Sequence, residues 1–537
     1  MNRVAPRLTA FKPLLVLVAF VASFLGADGS SSNALPPVPP AVETITPAEL
    51  RMHLDFLASK ELGGRYTLAP NFAVAARYLA SHLKAYGFRG AAPDGDFLQF
   101  FDVATAKADS TKTSLSCTIK DQTSSYKLGD FLMPGLVSDI DVQGPVVFVG
   151  YGLSSTSQKY DDYAGLDVKG KIVLYAPGVP EGVDPSKLGD QERGEKAAHA
   201  HGAIGVLALP AERMLNRFQG KGFKERSAER ELIGLANDNV AQGIPLVVLG
   251  PDPAEKLLAS VALDLKTINE IAHSHGKLKP QALEASAHLM VDLKKTKTLT
   301  QNVAGILDGT DPELRKEYVV FSAHYDHLKT NDQGQIYPGA DDDGSGTTAV
   351  LAIAHAMSLS HPKRSVLIIF HAGEELGLLG SEYNTDVAPV VPLDKMVVDL
   401  NIDMIGRSKP AGDTNKADEH LTDANTVYLV GSNRISQELH KLSEETNNDY
   451  QKLNLNYYYN DPENPERIYY RSDHWNYAKH GIPIIFYFDG VHADYHRTTD
   501  TVDKIDFTKL SNIAKLVFET GWRIANLDHR LANDAKK

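Results

Sequence analysis

The sequence predicts an α/β chain: a mostly parallel mixed sheet covered by helices on both faces, giving a three-layer α/β/α core, with a β-rich module inserted into it. Three observations carry the prediction. From Gln301 onward, strand-like apolar runs alternate with helical stretches, the pattern of a sheet buried on both sides. Between Asp130 and Lys295 the texture changes to short apolar runs divided by Gly and Pro. Clusters of acids and histidines follow the ends of the apolar runs, where open α/β sheets gather their sites.

Taken in order, the chain begins with Arg3, Arg7 and Lys12, an apolar run from Leu14 to Leu25, and small residues with cleavage points after Ala27 or Ala34. Basic, apolar, small is the order of a secretory signal, and a dozen apolar residues are too few for a lasting membrane anchor. Residues 1–34 are therefore read as a signal peptide, and the mature protein is expected to be secreted or periplasmic. Pro36, Pro37, Pro39 and Pro40 mark residues 35–45 as an extended linker. Thr46-Pro47-Ala48-Glu49 opens a helix with a capping Thr, a Pro at the first position and Glu at the third. Phe72, Ala75, Ala76, Leu79 and Leu83 make a second helical face that Gly87 ends. Residues 46–129 are the first part of the main domain and 130–295 the inserted module. Within the module, strands are expected over Val146–Val149, Ile172–Tyr175, Ile204–Leu209 and Leu246–Leu249, with one or two helices. Residues 296–530 complete the main domain, with strands over Tyr318–Ala323, Val366–Phe370, Met396–Ile402, Val427–Val430 and Ile482–Phe488. Helices are expected over Thr347–Leu359, Ile435–Glu445 and Phe507–Ala525, and residues 531–537 form a tail.

The bulk numbers exclude several classes. A length of 537 residues implies two or three domains. A net charge of −13 without a basic stripe argues against nucleic acid. A single cysteine, Cys117, rules out an intrachain disulfide and a Cys-ligated zinc site, and is read as a small core residue.

The chemistry concentrates in His324, Asp342, Glu375, Asp403 and His496. Two imidazoles and three carboxylates suit zinc or a related divalent ion. If one carboxylate bridges, two metals each receive three protein groups, the composition of a two-metal site with a shared water. Asp342 is the expected bridge, in a triple-Asp turn beside Gly344 and Gly346. Glu374 leaves its strand in a different direction from Glu375 and is read as the general base. Asp326 is placed to orient the His324 imidazole. Tyr495 offers a phenol to a developing oxyanion. His327 and His371 are read as supporting residues, because the ligand count closes without them. Asp341 and Asp343 are equally consistent with plain turn residues, and Glu374-Glu375 with the solvated first turn of a helix from Leu376 to Tyr383.

Together, the segments His324-Tyr325-Asp326-His327, Gly339 to Gly346, Glu374 to Ser381, Asn401 to Met404 and Tyr495 to Asp500 resemble those of zinc metallopeptidase family 28. The likeness runs from Gln301 to about Leu510, and Leu57 to Phe88 resembles that family's N-terminal helices. The resemblance implies the zinc-exopeptidase fold and two zinc ions per chain, one held by His324, Asp342 and Asp403, the other by Asp342, Glu375 and His496. It also implies catalytic roles for Glu374, Asp326 and Tyr495, a cis peptide after Asp342, a peptide substrate, and a protease-associated module at 130–295. An aminopeptidase is the expected activity. A carboxypeptidase of the glutamate-carboxypeptidase type, with Arg467 or Arg471 holding a terminal carboxylate, and a one-zinc glutaminyl cyclase-like transferase are the alternatives. Tyr457-Tyr458-Tyr459 lines a pocket or packs in a core. No Gly-x-Ser-x-Gly elbow supports a serine hydrolase.

Overall fold

The computed structural model describes residues 35–134, 139–236, 244–462 and 464–534, so the segment read as a signal peptide lies outside the described residues. Two large sheets organise the chain, one of ten strands and one of eight.

The centre of the ten-stranded sheet is four parallel strands in the spatial order Ser365–His371, Tyr318–His324, Met396–Ile402 and Ile484–Phe488. Their Val, Ile, Leu and Phe residues are buried throughout, as expected of strands covered on both faces. Antiparallel strands flank this centre, Leu293–Leu307, Leu98–Ala108 and Glu231–Leu235 on one side and Thr426–Val430 on the other, where Asn454–Asn456 pairs parallel at the edge. Helices Pro47–Leu57, Phe72–Ala85, Gly344–Ser358 and Phe507–Asn526 bury their apolar faces in one core. A second core on the opposite face gathers Ile306, Val320, Leu367, Tyr477 and Phe486. The first helix starts as its sequence dictates: Thr46 Oγ1 accepts from the Glu49 N–H at 3.2 Å, with Pro47 at the first position.

The eight-stranded sheet has its own core, in which Cys117 is buried. Its boundaries correct the expected domain limits. Strands Ser114–Ile119 and Gln122–Lys127, assigned above to the main domain, belong to this sheet, and Lys294 and Lys295 belong to the main sheet. The paired strands Leu98–Ala108 and Leu293–Leu307 are the two-stranded stalk from which the module grows. Glu231–Leu235 then returns from the module to the main sheet, so the insertion is not a clean one. Among the described residues the module carries five α-helices rather than one or two: Gly194–Ala200, Glu212–Phe218, Phe223–Ala228, Pro251–Ala259 and Leu265–His273.

Three smaller expectations are also corrected. The Pro-rich segment is docked, not a free linker: Val42 is buried, Leu35 and Val38 pack on the main core, and Trp522 Nε1 donates to Pro37 O at 2.8 Å. The start of the tail is anchored likewise, with Leu531 buried in the same core. The helix expected from Leu376 to Tyr383 starts only at Leu379, because Gly377 and Leu378 adopt φ of 112° and 63°, and Leu379–Glu382 runs on into a π-helical turn at Tyr383–Val387.

Candidate metal centre

The parallel strands deliver the site. His324 ends its strand, Asp403 follows Ile402 directly, Glu374 and Glu375 lie just beyond His371, and His496 lies in the loop after Ile484–Phe488. The triple-Asp turn divides its labour. Asp341 accepts from the Gly406 N–H at 2.7 Å and faces His492 Nε2 at 3.1 Å. Asp343 caps the helix Gly344–Ser358 through the Gly346 N–H at 2.8 Å and also accepts from the Met404 N–H at 3.1 Å. Asp500 accepts from the Asp341 and Asp342 N–H groups, and the Asp342–Asp343 peptide is cis. With its neighbours tied down, the Asp342 side chain is left to face the site. Gly346 is required here, since a Cβ would strike the Asp343 carboxylate and the Ile402 carbonyl.

The two oxygens of Asp342 face opposite ways. Oδ1 lies 3.4 Å from His324 Nε2, which is itself 3.5 Å from Asp403 Oδ1 and 4.0 Å from Glu374 Oε2. Oδ2 lies 3.1 Å from His496 Nε2, which is 3.1 Å from Glu375 Oε2. All five expected ligands therefore converge, and Asp342 stands between the two halves. Two groups of potential metal donors occur among the described residues: His324, Glu374 and Asp403, and His327, Asp342 and Glu375. Each of the five expected ligands has a buried donor or acceptor atom without a hydrogen-bond partner: His324 Nε2, Asp342 Oδ2, Glu375 Oε1, Asp403 Oδ1 and His496 Nε2. Buried polar atoms are normally paired, and atoms orphaned around common points are what a metal would satisfy. The residues present thus fit a pair of divalent ions.

Without metal the charges lean on one another. Burial alone would raise the Asp342 carboxyl, but His327, His324 and His496 outweigh it and hold it well below the usual range. Burial would lower His496, but its contacts with Asp342 and Glu375 raise it to about 10. Burial, reinforced by Glu375 and Asp403 against the pull of His324, pushes Glu374 well up. Burial and the nearby acids keep the Tyr495 hydroxyl protonated, and its ring stacks on His496 at 3.9 Å.

Asp326 does more than expected. His324 Nδ1 pairs with the Asp326 backbone carbonyl at 3.2 Å, while the carboxylate is 3.6 Å away. That carboxylate accepts from Thr67 Oγ1 at 2.8 Å and from the Glu374 N–H at 3.2 Å, so it positions the candidate base, while the Asp326 backbone carbonyl holds the imidazole. Sequence reasoning missed Thr67 and the buried Arg65, whose guanidinium donates to the carbonyls of Tyr325, Leu57, Pro338 and Gly339. The only signal was the Gly63-Gly64-Arg65 turn. Sequence reasoning also set His327 aside, yet its Nδ1 lies 2.8 Å from Glu375 Oε1. His371 is supporting, as expected, with Nε2 paired to Tyr477 OH at 3.0 Å.

A small cavity of about 30 Å³ opens on Asp342, Glu374, Asp403 and Tyr495, walled by Met404, Ile468, Phe486, Phe488 and Val491, with Arg471 at its side. A larger groove between Lys196 of the module and Arg434, Trp475 and Lys479 of the main domain touches none of the converging acids. The chemistry is therefore located by the side chains rather than by cavity size. Of the tyrosine run, Tyr459 packs in the core and Tyr458 is exposed.

A segment of 125 residues is 35% identical to the probable leucine aminopeptidase 2 of Aspergillus oryzae, covering 23% of each protein. A segment of 171 residues is 30% identical to aminopeptidase YwaD of Bacillus subtilis, covering 31% of this chain and 34% of that one. Over 359 residues the chain is 26% identical to an aminopeptidase of Pseudomonas aeruginosa, covering 66% of this chain and 56% of that one. The matches span between about a quarter and just over half of these relatives' lengths. Among solved structures, the aminopeptidase from Aneurinibacillus sp. strain AM-1 aligns with a TM-score of 0.49 at 19% identity, over 89% of this chain and 94% of that one. Residues 302–521, which include all the converging acids and histidines, match the model of Peptidase family M28.

Proposed function

We propose that the chain is an exported two-zinc exopeptidase, an aminopeptidase that removes N-terminal residues from peptides. One observation carries the reading: Asp342 turns one oxygen to His324 and the other to His496, with a further carboxylate completing each half. His324, Asp342 and Asp403 would hold one zinc, and Asp342, Glu375 and His496 the other. When bound, the metal pair supplies an activated water at neutral pH and Lewis-acid polarisation of a carbonyl. Glu374 takes the proton from the attacking water and returns it to the leaving amine. Asp326 holds Glu374 in place through its backbone N–H. The Tyr495 phenol donates to the carbonyl oxygen as charge develops on it. Met404, Ile468, Phe486 and Phe488 give the terminal side chain an apolar wall.

The name shared by the curated relatives and the basic–apolar–small N-terminus support the peptidase and export parts of this reading. Among the described residues no helix is long and apolar enough to cross a membrane. Arg471 beside the cavity favours one second reading, a carboxypeptidase that binds a terminal carboxylate. Free and N-acetylated peptides, incubated with the mature protein and followed by mass spectrometry, separate the two. Stepwise loss from the free N-terminus, abolished by chelation and by acetylation, is expected. Trimming of acetylated peptides from the C-terminus would establish the carboxypeptidase instead.

A further inference from the structure

His327 faces two carboxylates of the site, Glu375 and Asp342, and its surroundings are those of a ligand. Its ring is fully buried, and neither ring nitrogen makes a hydrogen bond. Glu375 Oε1 has no hydrogen-bond partner either, yet it stands only 2.8 Å from His327 Nδ1. Nδ1 is also 3.7 Å from Asp342 Oδ2, and His496 Nε2 is 3.1 Å from both Asp342 Oδ2 and Glu375 Oε2. Donors bound at about 2.0–2.2 Å to one tetrahedral ion lie about 3.3–3.6 Å apart, and these separations bracket that value. A close contact not aligned as a hydrogen bond, between two atoms with no other partner, is resolved by a cation that both share.

The ring is also held in place. The His327 N–H donates to the Arg65 carbonyl at 3.2 Å. A Cβ on residue 339 would come within 2.6 Å of the ring, so Gly339, at φ 57°, is the residue that admits it. The His496 ring meets it edge-on at 5.8 Å.

We propose that His327 Nδ1 is a fourth protein donor to the metal position of Asp342, Glu375 and His496, and that the two positions are unequal. The inference rests on the two-metal reading above. The position at His324 then has one imidazole and two carboxylates, and the other has two imidazoles and two carboxylates. The second position should fill first and should prefer zinc or cobalt, which suit imidazole, over manganese or magnesium. The first, with fewer protein donors, keeps more of its coordination open for water and substrate.

The metal-free full chain is titrated with cobalt(II) while its visible absorption is recorded, and with zinc by calorimetry. The wild type is expected to bind in two phases of different affinity. His327→Gln is expected to weaken the tighter phase by more than the roughly 10–100-fold that losing a mere supporting partner costs, with a changed cobalt spectrum, and to leave the weaker phase in place. X-ray absorption at the zinc edge of the two-zinc wild type is independent of whether the variant folds. Three imidazoles shared by two ions are expected. Two imidazoles shared by two ions, or a folded His327→Gln protein with both affinities and the cobalt spectrum unchanged, overturn the assignment of His327 alone. A folded wild type that binds no metal overturns the proposed function together with it.

Discussion

Replacing Arg65 by Met removes a buried clamp between the N-terminal helices and the metal centre. The guanidinium is 1% exposed and donates from Nε to Tyr325 O at 2.9 Å, from Nη1 to Leu57 O at 2.8 Å and Pro338 O at 2.7 Å, and from Nη2 to Gly339 O at 2.8 Å. Tyr325 precedes Asp326, and Gly339 opens the segment that carries Asp342, so both motif loops hang from one side chain. Hydrogen bonds from a charged donor contribute about 1.5–3 kcal/mol each, and an acceptor left buried and unpaired costs about 1–3 kcal/mol. Summed without correction, four such bonds would give about 6–12 kcal/mol. They share one donor and are not additive, and the burial of the cation is itself unfavourable, so about 3–5 kcal/mol is expected for Arg65→Met. Against a typical total of about 5–15 kcal/mol that is a large fraction. Arg65→Lys, with three donors on a point charge, should recover part of the loss. Urea unfolding followed by circular dichroism measures the change through the midpoint, and metal analysis of the folded fraction shows whether the loops still present their ligands. An Arg65→Met protein within 1 kcal/mol of wild type, with unaltered metal content, would refute the clamp.

Glu374→Gln should keep the fold and the metals while lowering kcat by about 10²–10⁴-fold, and near-normal turnover on a free peptide would remove Glu374 from the proton path. His53 is fully buried, and burial, then His82 and His355, holds it at about 4. A histidine lowered in the fold binds its proton more readily when unfolded, so its contribution to stability is complete above about pH 6.5 and lost as pH falls toward 4. The difference corresponds to at most about 3 kcal/mol. Urea midpoints at pH 7 and pH 4 should converge more in His53→Gln than in wild type, and an identical acid loss would contradict this. Deleting residues 110–291 and joining Asp109 to Asp292 by a short turn should leave the metal centre assembled, because the Asp109 N–H already donates to the Asp292 carbonyl at 2.9 Å. The edge of strand Leu98–Ala108 would then be exposed, so poorer solubility should accompany retained zinc. Loss of zinc from the soluble fraction would show that the module supports the site.

The four central strands and their ligands were legible because the chemistry writes itself into the pattern: a fully buried β-branched run stops where an acid or histidine must face the site. Met396–Ile402 followed by Asp403 is the clearest case. The stalk strands Leu98–Ala108 and Leu293–Leu307 were not legible, since Lys294, Lys295 and Lys297 are exposed on both faces of the strand and leave no alternation to read. Composition also misjudged the Pro-rich segment, because a docked extended stretch and a free one share the same prolines and only the fold shows that Val42 finds a core. The spacing of Leu376, Leu379 and Tyr383 is helical, yet the chain needs positive φ at Gly377 and Leu378 as it leaves the Glu374–Glu375 corner. The ligand count stopped at five because five sufficed for two metals, and no local pattern announces that His327 folds back onto Glu375. Arg65 was hidden for a related reason: its partners are carbonyls far away in the chain, and carbonyls carry no sequence signal.

The account stands most directly on one carboxylate serving two ions. Zinc content of the purified mature protein and of Asp342→Ala, measured by mass spectrometry of the metal after removal of loosely bound ions, tests that claim. About two zinc equivalents per wild-type chain, with both lost from a folded Asp342→Ala protein, is the predicted result. One equivalent in the wild type, or an Asp342→Ala protein that holds zinc as tightly as before, would contradict it.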